Sequence, residues 1–174
     1  MYLLIKGNLP TQTELDKFVN DINEYNYVSE DLIKILDAFP SSAHPMGVLT
    51  SLTAALSAFS PKCVDVSSEE EMYRAAVTLL GKFPVLASWT QRKVKGLPVN
   101  YSNDKLSYVE NFYQLLFKKP GQELDLDPVV MDALDKLLIL HADHEQNCST
   151  STVRMVGSSQ ANAYASVAAG VAAL

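Results

Sequence analysis

The densest group of side chains able to do chemistry is the run His141-Ala142-Asp143-His144-Glu145-Gln146-Asn147, at the end of an otherwise apolar stretch. His141 and His144 are three apart, so on a helix they point to roughly the same side. Three readings are open. A zinc site wants at least three protein ligands. This run offers two imidazoles with adjacent carboxylates and no HExxH spacing, so no metal ligand is assigned. A histidine at a helix end can instead satisfy the orphan carbonyls there. Or the imidazole N–H groups donate to a carboxylate or carbonyl oxygen of a substrate. Spacing alone favours the helix-end role.

Elsewhere such residues are sparse. His44, in Ala43-His44-Pro45-Met46, reads as a polar residue at a helix entrance. Cys63 and Cys148 form no CxxC pair and have no flanking basic pair, so neither is assigned as a nucleophile. Their number and spacing fit a reducing compartment, the cytoplasm. Arg92-Lys93 and Lys118-Lys119 read as solvated faces. No P-loop and no GxGxxG run is present.

The elements that must position these residues are helical. Thr11 and Glu14 form a capping box ahead of Leu15, Phe18, Val19 and Ile22, which share one helix face. Ser29 opens a second helix and Pro40 stops it. Pro45 suits the first turn of a third, running to about Phe59 without a charge after Gly47. Ser67 or Ser68 caps a fourth that ends at Gly81, and Pro84 starts another to Lys95. Ser107 and Glu110 form a second capping box. Asp127-Pro128 begins a helix whose Val130, Leu134, Leu137, Leu138 and His141 line one face. The last helix covers about Asn162–Leu174 and is rich in alanine. Tyr2–Ile5 reads as a helix tail and Lys62–Val66 as a loop. The fold class is all-α, with about nine helices and short connections.

Composition narrows the function classes. The chain has 174 residues, with 14 Lys plus Arg against 20 Asp plus Glu, a net charge of −6. A domain that binds nucleic acid usually runs basic, so no nucleic-acid partner is expected. Hydrophobic residues make up 48%, which rules out a disordered chain. No apolar run approaches the ~20 residues of a membrane span. Charged residues, at 20%, fall below the ~25% of an average domain, which suggests surface covered by a second subunit or more chain.

The stretch HADHEQNCSTSTVRMVGSSQANAYASVAAGVAAL, from His141 to Leu174, closely resembles citrate synthases, above all the Gram-negative and organellar branch. Leu3–Leu15 (LLIKGNLPTQTEL), Phe39–Met46 (FPSSAHPM) and Lys105–Phe112 (KLSYVENF) are similar to further family segments, in family order. The resemblance implies condensation of oxaloacetate with acetyl-CoA to citrate and CoA. It needs no cofactor or metal, since acetyl-CoA is itself a substrate. His144 falls on a family oxaloacetate ligand and Asn147 neighbours it in the same pocket. Ser149 falls on a position whose hydroxyl supports a catalytic histidine, and His141 is structural or supporting.

The resemblance also implies what to expect of the chain as a whole. Residues 1–174 match a central piece of the family's large helical domain, truncated at both ends and without the small domain. The family's proton-abstracting Asp and further catalytic histidines follow beyond Leu174, so no catalytic residue is assigned here. The chain alone is expected to be inactive. Some relatives are inhibited by NADH. An Arg-His-Thr run of that site falls on Glu24-Tyr25-Asn26, its tyrosine on Ser60 and an arginine on Thr78, while its lysine is kept as Lys82, so NADH inhibition is expected to be weak or absent. Family members are dimers or higher homo-oligomers, and the uncharged helices Pro45–Phe59 and Asn162–Leu174 are the expected interface. The alternatives are 2-methylcitrate synthase, whose usual segment differs from QNCSTSTVR, and a non-catalytic oligomerisation fragment.

Overall fold

The computed structural model describes residues 1–60 and 65–174, so Cys63 and most of the loop expected at Lys62–Val66 lie outside the described residues. Among the described residues there are nine helices and no strand. They are α1 (Tyr2–Lys6), α2 (Gln12–Glu24), α3 (Asp31–Ala38), α4 (Pro45–Phe59), α5 (Glu69–Val94), α6 (Tyr108–Phe117), α7 (Pro128–Leu140), α8 (Cys148–Gly157) and α9 (Ala163–Ala172). No helix among them is long and apolar enough to cross a membrane.

Local chemistry sets most helix starts. Both capping boxes form. Thr11 Oγ1 accepts from the Glu14 N–H while Glu14 Oε2 accepts from the Thr11 N–H, and Ser107 and Glu110 repeat the arrangement. Those backbone donors hold the Glu14 and Glu110 carboxyls below their usual range. Ser68 caps α5, Asp127 caps α7, and His44 caps α4 by accepting the Met46 N–H at Nδ1.

The count of nine conceals two differences from the sequence reading. Gly81 and Pro84 do not divide two helices, because α5 runs through both. A proline inside a helix lacks an N–H and leaves the carbonyl four residues earlier without its donor. Here that carbonyl, Leu80 O, accepts from the Tyr108 hydroxyl at 3.1 Å. Gly81 is a contact point rather than a stop: a Cβ there would lie 2.6 Å from Ile22 O of α2. The second difference is α8, which the sequence reading does not contain.

The Tyr108 bond predicts an alkaline weakness. Burial pushes the Tyr108 hydroxyl up to about 12. The unfolded chain therefore releases this proton near pH 10 while the folded chain keeps it to about pH 12, so stability present below pH 10 falls across that interval. Tyr108→Phe leaves Leu80 O without a donor. We expect it to cost ~1–3 kcal/mol at neutral pH and to flatten the alkaline loss, as read by urea unfolding at pH 7 and across pH 9–11. An unchanged midpoint at pH 7 would show that Leu80 O does not need Tyr108.

The core is built from one face of α3, α4, α5, α6 and α9. Leu32, Leu36, Leu52, Leu56, Leu86, Trp89, Leu115 and Tyr164 are all buried in it. Trp89 donates its indole N–H to Asn100 O at 2.7 Å and meets the Tyr101 ring edge to face. Arg92 corrects the sequence reading, because it is 1% exposed rather than solvated. Its Nε donates to Pro98 O and its Nη1 to Leu116 O at 3.1 Å, which gathers carbonyls near the ends of α5 and α6. Lys93 does reach outward, to Asp37 at 3.0 Å.

Helix α9 lies inside the chain, packed on α4 and α8, with Tyr164, Ser166, Ala168, Gly170 and Val171 buried. Its small residues serve close approach: a Cβ on Gly170 would fall 2.5 Å from Val153 Cγ2 of α8. By contrast, α7 packs mainly on α6 and buries only Met131. Of the face expected from the sequence, Val130, Leu137, Leu138 and His141 are exposed and Leu134 is half-buried.

Candidate functional site

The histidine run occupies the connection between α7 and α8, so two helix ends place it. His141 is the C-cap of α7. Its Nδ1 lies 2.7 Å from Leu137 O, a group that can only accept, so Nδ1 carries the hydrogen. That contact anchors the ring to the last carbonyls of α7. The helix stops at Leu140, so His141 and His144 do not share a helical face as their spacing suggested. A turn brings their rings together instead, with centroids 5.5 Å apart and planes tilted by 36°.

His144 differs from His141 in its bonding. It is exposed, and neither ring nitrogen has a hydrogen-bond partner among the described residues. The turn that carries it is closed by Asp143 Oδ1, which accepts the Glu145 N–H at 2.9 Å. Glu145 has φ 61, in the left-handed region that favours glycine. Asp143 and Glu145 are both exposed acids beside the imidazoles.

Asn147 is the N-cap of α8. Its Oδ1 accepts from the Thr150 N–H and from the Ser149 hydroxyl, both at 2.8 Å. The carbonyl half of this amide is thereby occupied, and its Nδ2 is the half left to donate to a ligand. The Ser149 hydroxyl, which the sequence reading set behind a histidine, is directed to Asn147. Cys148 is exposed at the first position of α8 as a free thiol. Arg154 steadies the approach to this helix through Gln146 Oε1 at 3.1 Å.

The scaffold behind the site is the α8–α9–α4 stack. An open groove of about 330 Å³ runs between α8 and α9, lined by Ser149, Thr150, Val153, Arg154, Val167 and Gly170. A larger cavity, about 840 Å³, lies where the start of α5 faces α8 and α9, with Met72, Val153, Gln160 and Ser166 in its wall. Neither includes His141 or His144. We place the candidate site at the histidines despite the larger volume elsewhere, because the big cavity is lined mainly by apolar side chains and offers no pair of open titratable groups. Among the described residues no three His, Cys, Asp or Glu side chains cluster closely enough to hold a metal ion. Asn26 and Thr78, two of the positions that the sequence resemblance sets on a nucleotide site, are buried.

The sequence and its resemblance point to His141, His144, Asn147 and Ser149, and the structure sets all four in one connection and the start of α8. The sequence reading missed Asp143 and Glu145 as shapers of the turn. An Asp two residues before a backbone N–H is the known signal for such a turn.

Comparison with known proteins places these residues in a wider pattern. The family described as "Citrate synthase, C-terminal domain" matches residues 1–174. The citrate synthase of Corynebacterium glutamicum is 46% identical over 173 residues, covering 99% of this chain and 40% of that protein. Citrate synthase 1 of Mycobacterium tuberculosis is 45% identical over the same span. This chain therefore spans about 40% of the length of the curated relatives it matches. Among solved structures, citrate synthase from Pyrobaculum aerophilum superposes with TM-score 0.83 at 32% identity, over 99% of this chain and 44% of that one. A ternary complex of carboxymethyl coenzyme A and oxaloacetate with the Thermoplasma acidophilum citrate synthase superposes with TM-score 0.87 at 24% identity, a likeness of fold.

Proposed function

The chain belongs to the citrate synthase family, and from that premise we propose that it carries part of the substrate site of an enzyme that condenses oxaloacetate with acetyl-CoA to give citrate and CoA. One observation carries this reading: His144 is an imidazole with both nitrogens open, backed by a His141 ring tied to α7. An imidazole N–H placed this way can donate to a substrate oxygen as negative charge builds there, which lowers the barrier to carbon–carbon bond formation. Asn147 Nδ2 is a second donor beside it. His141 sets the ring plane, and Ser149 holds Asn147 in its capping geometry. Proton abstraction from the acetyl methyl group requires a base that we assign to none of the described residues.

The 174-residue chain alone is proposed to be inactive. Its His141, Asp143, His144 and Glu145 are all exposed, and they line neither the α8–α9 groove nor the cavity at the start of α5. Open water at the site would compete for every donor. The test is a graft, in which this chain replaces the 173 matching residues of the Corynebacterium glutamicum enzyme. We expect CoA release from acetyl-CoA plus oxaloacetate by the graft and none by the free chain. A folded graft without CoA release would remove the enzyme reading, and turnover by the free chain would overturn its proposed inactivity.

We also propose that the chain assembles as a homo-oligomer in the working enzyme. The outward stripe of α4, Gly47, Ser51, Ala54 and Ala58, is small and uncharged, and α7 leaves Val129, Ile139 and Leu140 well exposed. An exposed apolar face of this kind marks an interaction surface. The buried position of α9 argues against its use as the contact. Sedimentation of the graft at high concentration is expected to give a dimer or larger, and a monodisperse monomer would contradict the proposal.

A further inference from the structure

Glu145 and Gln160 are the two non-glycine residues with positive φ among the described residues. Gln160 follows the end of α8, where a left-handed residue commonly closes a helix. Glu145 follows no helix, so its conformation must be held by its neighbours. Two contacts hold it. Asp143 Oδ1 accepts the Glu145 N–H at 2.9 Å on one side, and the Asn147 cap fixes the entry to α8 on the other. The residue enclosed between Asp143 and Glu145 is His144, whose ring makes no hydrogen bond of its own to the described residues.

We infer that Asp143 is the positioning residue for His144: its carboxylate closes the turn that keeps Glu145 left-handed and presents the imidazole against the His141 ring. The inference rests on the reading that His144 meets substrate, and deepens it. A carboxylate accepting a backbone N–H makes a charge-assisted bond. An asparagine Oδ1 can accept the same bond, and alanine cannot. Glycine at 145 adopts φ 61 without steric cost, so it removes the task that Asp143 performs. A displacement of about 1 Å at a reacting group can cost about 10²-fold in rate.

The experiment is a double-mutant cycle in the graft. Asp143→Ala is expected to lower kcat about 10- to 100-fold with a smaller change in KM for oxaloacetate. Asp143→Asn, which keeps the turn, is expected to stay within about threefold of the unmutated graft. In a Glu145→Gly background, Asp143→Ala should cost less than about threefold. Equal losses for Asp143→Ala in both backgrounds overturn the inference, as does an Asp143→Asn loss as deep as that of alanine. If Asp143→Ala alone fails to fold, recovery of a folded, active protein in the Glu145→Gly background supports the inference and continued misfolding overturns it. An inert His144→Ala would instead strike at the substrate reading, so the two failures are distinguishable.

Discussion

His144→Ala in the graft is expected to lower kcat about 10²- to 10³-fold while leaving thermal stability nearly unchanged. The two halves of this expectation come from the same observation. The imidazole is exposed and has no hydrogen-bond partner among the described residues, so its removal takes little from the fold. A donor aimed at a developing oxyanion is worth ~3–4 kcal/mol of transition-state stabilisation in comparable sites. Steady-state kinetics with both substrates varied, beside a melting curve, reads both halves. Full activity would show that the open ring does not face substrate. A large loss of stability would show that His144 is a structural residue after all. His141→Ala should behave differently, because its ring is bonded to Leu137 O and its loss frays the end of α7.

Trp89→Ala is expected to destabilise the chain by ~3–5 kcal/mol, which is a large share of the stability of an ordinary domain. Trp89 is 1% exposed, sits in the main core and closes the 97–101 segment through its bond to Asn100 O. Asn100 in turn donates to the carbonyls of Gln114, Leu115 and Lys118 at the end of α6. Losing the indole therefore opens a cavity and also unpins the loop that joins α5 to α6. Denaturant unfolding followed by circular dichroism measures the loss. A change below ~1 kcal/mol would mean that α6 is held to α5 by other contacts.

Local chemistry in the sequence was enough for the helix class and for most N-termini. Capping boxes, Asp127-Pro128 and His44-Pro45 act within four residues, so their outcome can be read where they stand. Features that depend on distant partners were not readable. Pro84 looks like a helix start because its compensating donor, Tyr108, is 24 residues further on. Arg92 looks like a surface charge because the carbonyls that bury it, Pro98 O and Leu116 O, converge only in the folded chain. Helix α8 was missed because Cys148-Ser149-Thr150-Ser151-Thr152 carries poor helix formers and no apolar period. Asn147 and the packing of Gly170 against Val153 hold it as a helix. At the site, residue types singled out the histidine run, and the resemblance to citrate synthases added Asn147 as a candidate. The left-handed φ of Glu145 is a backbone fact that a glutamate does not announce, whereas Asp143 two residues before it was a readable turn signal.

A crystal structure of the graft with oxaloacetate and carboxymethyl coenzyme A tests most directly whether His144 meets substrate. These are the two ligands of the Thermoplasma acidophilum complex. We expect a His144 ring nitrogen about 2.7–3.2 Å from a substrate oxygen, with the His141 ring still packed behind it. Both ligands bound elsewhere, with the His144 ring turned to solvent, would contradict it.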